Sequence, residues 1–321
     1  MVLPGLKGKG LFVFSDPGGA KPLLAFIESI TGRLTAVKII SDRVYPFYHD
    51  FASPVEKPFA TPEKDILNFS PDFVFTGTSY TSKIELDYLK AAHKHHIPTY
   101  SFVDHWTNIS KRFVDVDGSM ILPGKVLVID ERAKQIAIQE GIDKSQVTAI
   151  GNPYHEWLRN WKPVGSKNDY LQQIGLPGER SKILLFAPDP LSNVNGCEVY
   201  GFDELTATTT LVKLFDNNTG AFKNWKVLIK AHPNQERNKL NNVIGGREVF
   251  YMLPENADTN TSIYYADVVM GFFSAFLLES AVMNKPVIRF LPKELKKDPI
   301  AELNIGLIAD ESSLVSIVSK M

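Results

Sequence analysis

The sequence has 321 residues, which at roughly 150 residues per domain points to two domains. Apolar residues make up 44% and charged residues 22%, with 35 Lys and Arg against 36 Asp and Glu. That is the balance of a globular protein with a sizeable core, and it excludes disordered, collagen-like and mucin-like classes. A formal net charge of -1 gives no global field for a nucleic-acid backbone or an anionic membrane, so any phosphate must be held by a few aimed groups and no nucleic-acid partner is expected.

In chain order, short apolar runs rich in β-branched and aromatic residues alternate with segments of helical period. The first half predicts strands at 11–14, 35–40, 72–75, 99–103, 125–129 and 146–150. Helices are predicted at 20–30, 82–95 and 131–140, the last closed by Gly141. Residues 154–178 break the rhythm with Trp157, Trp161, Pro163, Gly165, Pro177 and Gly178, and read as a crossing followed by a short helix around 170–173. Strands then recur at 182–187, 226–230, 249–253, 268–270 and 286–290, with helices at 204–215, 274–283 and 312–319. The pattern predicts two Rossmann-like, doubly wound α/β domains, 1–165 and 166–321, with a cleft between them. Ligands of such sheets sit beyond the carboxyl ends of the strands.

Cys197 is the only cysteine, which excludes intramolecular disulfides and cysteine-cluster metal sites. The longest apolar run, 268–278, is shorter than the ~20 residues of a membrane span. The opening MVLPGLKGKG lacks the apolar core of a signal peptide, so a cytoplasmic protein is expected.

The strand-end loops carry the chemistry. After the first strand, Asp16-Pro17-Gly18-Gly19 lets backbone N–H groups approach a phosphate or sugar hydroxyl, or simply makes a tight turn into a helix. It matches neither G-x-G-x-x-G nor a P-loop. The fourth strand ends in Asp104-His105, a carboxylate and an imidazole suited to proton transfer; Asp104 leads as base, with His105 and Asp16 as competitors. Asp115 and Asp117 form a second acidic pair better read as a β-turn than as metal ligands.

In the second half, Lys230-Ala231-His232-Pro233 closes a buried strand with a basic pair. His232 can donate a hydrogen bond to a leaving phosphate, and Pro233 stiffens its loop. Gly271 and Ser274 mark a glycine turn into a helix whose N-terminal amides suit a phosphate, and Glu279 suits the hydroxyls of a ribose. No metal site is expected.

The segment from Ala266-Asp267 through Ser274, Glu279 and Ala281 to Lys285-Pro286-Val287-Ile288 resembles the donor-binding strand-helix-strand of GT-B glycosyltransferases. The segment from Val128 through Asp130-Glu131, Gly141 and Val147 to Gly151-Asn152-Pro153 resembles the last βαβ of their acceptor domain. Lys230-Ala231-His232-Pro233 with Ser274 is similar to motifs of bacterial sialyl- and Kdo-transferases of capsule and lipopolysaccharide assembly, and also of polyol-phosphate transferases. Asp104-His105-Trp106 departs from the acidic motif of the sialyl- and Kdo-enzymes. The two-domain plan also resembles non-hydrolysing sugar-nucleotide 2-epimerases, although that family's His-Arg-x-x-Asn and its paired glutamates near residue 279 are not found.

The resemblance implies an inverting, metal-independent transferase, with residues 1–165 binding the acceptor and 166–321 the donor. A CMP- or UDP-sugar would be substrate rather than cofactor, no other cofactor being expected. A glycan or glycolipid would be acceptor, with peripheral membrane association through it. An inactive GT-B-like binding protein is the alternative of a different class.

Overall fold

The computed structural model describes residues 6–295 and 298–321. The chain divides into two units, Met1–Trp157 and Leu158–Met321.

The first unit contains β1 (Gly8–Phe14), α1 (Pro17–Ile30), β2 (Leu34–Ser41), α2 (Pro62–Phe69), β3 (Phe73–Thr76), α3 (Ile84–Lys94), β4 (Thr99–Val103), β5 (Lys125–Val128), α4 (Glu131–Gln139) and β6 (Val147–Ala149). α5 (Pro153–Asn160) spans the division. All six strands are parallel, in the order β2-β1-β3-β4-β5-β6. β1 is continuously apolar because both sheet faces are covered: Leu11 and Val13 pack with Tyr88 on one side, while Phe12 lies against Phe73 and Phe75.

Two helices up to and across the end of the first unit depart from the sequence expectation. α2 begins at Thr61, whose hydroxyl accepts the Lys64 N–H, with Pro62 at the first helical position, so its start signals were present though the helix was not predicted. α5 replaces part of the irregular crossing expected at 154–178. Trp157 is no linker residue: it stacks on Phe51 at 4.6 Å and on Tyr154 at 5.6 Å, and its indole N–H donates to Glu28 at 2.8 Å. Aromatic burial thus keeps the helix within the fold.

The second unit contains α6 (Lys167–Gln173), β7 (Lys182–Ala187), α7 (Gly196–Val199), α8 (Glu204–Asn217), α9 (Thr219–Phe222), β8 (Trp225–Ile229), α10 (Arg237–Ile244), β9 (Phe250–Met252), α11 (Thr259–Tyr265), β10 (Val268–Gly271), α12 (Ala275–Val282), β11 (Val287–Phe290), β12 (Leu307–Ala309) and α13 (Leu314–Val318). Its strands are parallel in the order β12-β11-β10-β7-β8-β9. Alternate residues of β7 enter opposite cores, Leu184 and Phe186 one and Ile183 and Leu185 the other.

Each sheet grows outward in both directions from a central strand. In the first unit β1 is followed by β2 on one side and β3 on the other; in the second, β7 is followed by β8 on one side and β10 on the other. The crevices between the loops after β1 and β3, and after β7 and β10, are therefore the topological switch points where ligands of open α/β sheets bind. Among the described residues no helix is long and apolar enough to cross a membrane.

Candidate functional site

At the first unit's switch point the side chains are tied together. Asp16 follows β1 and accepts hydrogen bonds from Arg43 at 3.1 Å, from the Tyr80 N–H at 3.0 Å and from the Thr81 hydroxyl at 2.6 Å. It does not cap α1 with its side chain. Glu85, 3% exposed, accepts the Ser15 N–H at 3.0 Å and a short hydrogen bond from the Ser79 hydroxyl, which itself accepts the Asp16 N–H at 3.0 Å. One carboxyl thus joins the loops after β1 and β3. Burial pushes it up to about 7, against the hydrogen bonds it receives.

Asp104 ends β4 and pairs with Arg112 at 3.3 Å. The Arg112 guanidinium also donates to the Thr78 hydroxyl at 3.3 Å and stacks over Tyr80 at 4.5 Å. A Cβ on Gly18 would lie 2.0 Å from an Asp104 oxygen, so a side chain there would push that carboxylate aside; a Cβ on Gly19 would press on Gly77 and Thr78 at 3.2 Å. The two glycines therefore serve close packing of the chain's own groups. Beside them, a cavity of about 10 Å³ lined in part by Thr78, Ser79, Glu85 and Arg112 has room for one water molecule.

His105 is exposed, and its Nδ1 accepts the Thr107 N–H at 3.2 Å. The neutral ring therefore carries its proton on Nε2. Desolvation holds the imidazole below its ordinary value, against the pull of Asp104. Asp115 and Asp117 lie in a turn closed by Gly118 N–H to Asp115 carbonyl at 3.1 Å; Asp115 pairs with Lys90, and Asp117 accepts from Ser119. Among the described residues no group of three or more His, Cys, Asp and Glu is placed to hold a metal ion.

In the second unit the β8 end is a rigid turn. The His232 N–H donates to Gln235 Oε1 at 2.6 Å, and the Gln235 amide donates to the Pro188 carbonyl at 3.0 Å, joining this turn to the loop after β7. The Asn234 N–H donates to His232 Nδ1 at 3.1 Å. Nδ1 is thereby an acceptor, and desolvation favours the neutral ring, so Nε2–H is a donor without the ring being charged. The exposed Pro233 lies in this turn. Lys230 Nζ donates to the Ala257 carbonyl at 2.8 Å.

Gly271 ends β10 where a Cβ would meet the Ala187 carbonyl at 2.8 Å, so this glycine permits close approach of β7. Ser274 is the N-cap residue of α12, but its side chain makes no capping bond. Asp189 is adjacent: its Oδ2 accepts the Phe273 N–H at 3.2 Å. Burial pushes Asp189 up to about 6 despite this hydrogen bond. Glu279 lies half-buried inside α12.

The structure thus brings Gly18 together with Asp104, and the turn that leads into Ser274 together with Asp189, a carboxylate that the sequence reading did not single out. Asp189 had a signal, an Asp between two prolines at a strand's carboxyl end. Glu85 had one too, lying on the face shared by Tyr88, Leu89 and Ala92. Arg112 sits in a short 3₁₀ segment, Ser110–Phe113, with no comparable pattern.

No protein-family model matches the sequence, and no curated protein matches it. Solved structures do. The chain is similar to UDP-GlcNAc 2-epimerase from Neisseria meningitidis bound to UDP-GlcNAc, at 14% identity over 97% of this chain and 89% of that one, with a TM-score of 0.67. It is similar to the UDP-GlcNAc 2-epimerase of Methanocaldococcus jannaschii at 11% identity, 98% and 92% coverage and a TM-score of 0.67. Anabaena HepE in complex with UDP and glucose matches at 15% identity, 97% and 89% coverage and a TM-score of 0.59. The fold is GT-B-like. That bears out the two-domain α/β architecture expected from the sequence, whereas the finer likeness to sialyl- and Kdo-transferases has no counterpart among these neighbours.

Proposed function

We propose that the chain binds a UDP-sugar and inverts its C2 centre, as a non-hydrolysing sugar-nucleotide 2-epimerase. The observation that supports this reading above others is the likeness, along nearly the whole chain, to epimerases that include one bound to UDP-GlcNAc. In this reading the second unit takes the nucleotide. His232 offers Nε2–H to a diphosphate oxygen, Gly271 and Ser274 frame the phosphate turn, and Glu279 meets the ribose. Lys230 and Pro233 flank His232 in this strand-end segment, and no metal is assigned a role. Inverting a carbon that bears hydrogen removes one proton and returns another on the opposite face, and Asp104, His105 and Asp16 are the candidates for that work.

A second reading, sugar transfer to a glycan or glycolipid, is favoured by one observation: Leu278-Glu279 stands where the epimerase resemblance implies paired glutamates. Membrane association would then come through the acceptor. Incubation with UDP-GlcNAc in D₂O separates the two. The epimerase reading expects a second UDP-sugar isomer carrying deuterium at C2. UDP release without exchange at C2, accelerated by a glycan acceptor, would replace it with the transferase reading, and an unchanged substrate would refute both for this donor.

A further inference from the structure

The second unit's switch point holds an anion of its own. Asp189 leaves β7 between Pro188 and Pro190, and its Oδ2 accepts the Phe273 N–H at 3.2 Å in the turn after β10. Ser274, the next residue of that turn, makes no side-chain cap to α12. The turn is braced by Arg289, 2% exposed, whose Nε donates to the Phe272 carbonyl at 3.0 Å and whose other nitrogens grip Asp298 at 2.6 and 2.7 Å. The Phe273 N–H is thus held in place before any ligand arrives, and it points at negative charge. The loop carrying Asp189 is braced as well, because Gln235 holds the Pro188 carbonyl.

We propose that Asp189 is an internal anion that competes with the phosphate of a nucleotide for the donors of the Phe272–Ser274 turn, so that its charge sets how tightly the second unit takes a diphosphate. This rests on the nucleotide-binding reading above, and it adds a residue that limits affinity. A ligand phosphate reaching these donors must displace the carboxylate or bind beside it, and each alternative carries a like-charge cost that an apolar or neutral side chain would not impose.

The test is calorimetric titration of wild type and Asp189→Asn with UDP, inorganic pyrophosphate and uridine at pH 7.5. Asparagine keeps the shape and the oxygen that accepts the Phe273 N–H but removes the charge. UDP and pyrophosphate should each bind Asp189→Asn at least tenfold more tightly than wild type, and uridine, lacking phosphate, should show no such gain. Equal or weaker binding of both anions by the folded variant overturns the inference, as does failure of that variant to bind either. If pyrophosphate gains while UDP binds neither protein, the inference stands and the nucleotide reading falls. Should the variant not fold, wild type supplies the second measurement. Saturating pyrophosphate should shift the Phe273 amide resonance, and an unmoved amide under pyrophosphate overturns the proposal.

Discussion

The two switch points answer the same topological problem differently. In the first unit the crevice between the loops after β1 and β3 is spanned by Glu85, with Asp16, Arg43, Ser79 and Thr81 bonded around it. In the second, Asp189 reaches from the loop after β7 to the turn after β10, and the neighbouring His232 ring is oriented by a neutral backbone N–H. The first arrangement spends most of its polar groups on one another, with Ser15 Oγ and Arg112 Nε left buried without a partner among the described residues. The second leaves His232 Nε2 without a hydrogen bond among the described residues. The contrast separates two kinds of mutational effect: substitution of Glu85 or Arg112, which hold the first switch point together, should act chiefly on stability, and substitutions at the second on ligand binding.

The sharpest way to break the contrast is at Arg112. This guanidinium is 8% exposed and paired with Asp104, so replacing it removes one partner of a largely buried ion pair. Arg112→Leu should cost about 3 to 5 kcal/mol of unfolding free energy, read from urea melts. A loss within about 0.5 kcal/mol, the range of ordinary surface changes, would mean that the first unit's network is not a stability element.

A somewhat smaller effect is expected at Glu85, and its sign depends on pH. The carboxyl rises from 4.5 to about 7 in the folded chain. Its contribution to stability is therefore fully present below the unfolded value and is lost as pH rises through the folded one, a change of about 3 kcal/mol. Glu85→Gln keeps an oxygen for the Ser15 and Ser79 donors and cannot titrate. Between pH 4.5 and 8 the variant should gain about 3 kcal/mol relative to wild type. Parallel stability curves across that range would remove Glu85 from the account.

Much of the architecture was legible because parallel strands buried on both faces leave unbroken apolar runs, such as 182–187, which the sequence reading bounded as the structure does. One helix start was legible at its cap, Asp130, whose carboxylate accepts the Ala133 N–H at 2.7 Å, whereas the caps at Thr61 and Asp258 did not by themselves reveal α2 and α11. Short edge elements were not legible. β12, with Leu307 and Ile308 exposed, lacks the apolar signature of a central strand, and α11 depends on the Asp258 cap more than on length. The switch points were hidden for a different reason. Asp189 meets Phe273 across 84 positions and Glu85 meets Ser15 across 70, and strand order, which no local pattern encodes, makes them neighbours. Gly18, Gly19 and Gly271 were visible as glycines, but the groups that crowd them were not.

The smallest effect in free energy bears most directly on the central claim, that the second unit takes a nucleotide through the His232 turn. Wild type and His232→Ala should be titrated with UDP by calorimetry, with thermal unfolding recorded for both. The account predicts a single UDP site in wild type, affinity weakened tenfold or more in His232→Ala, about 1.4 kcal/mol, and closely similar melting temperatures, because the imidazole Nε2 is not used to hold the fold. Absence of UDP binding to wild type, or equal affinity in the two folded proteins, would contradict it.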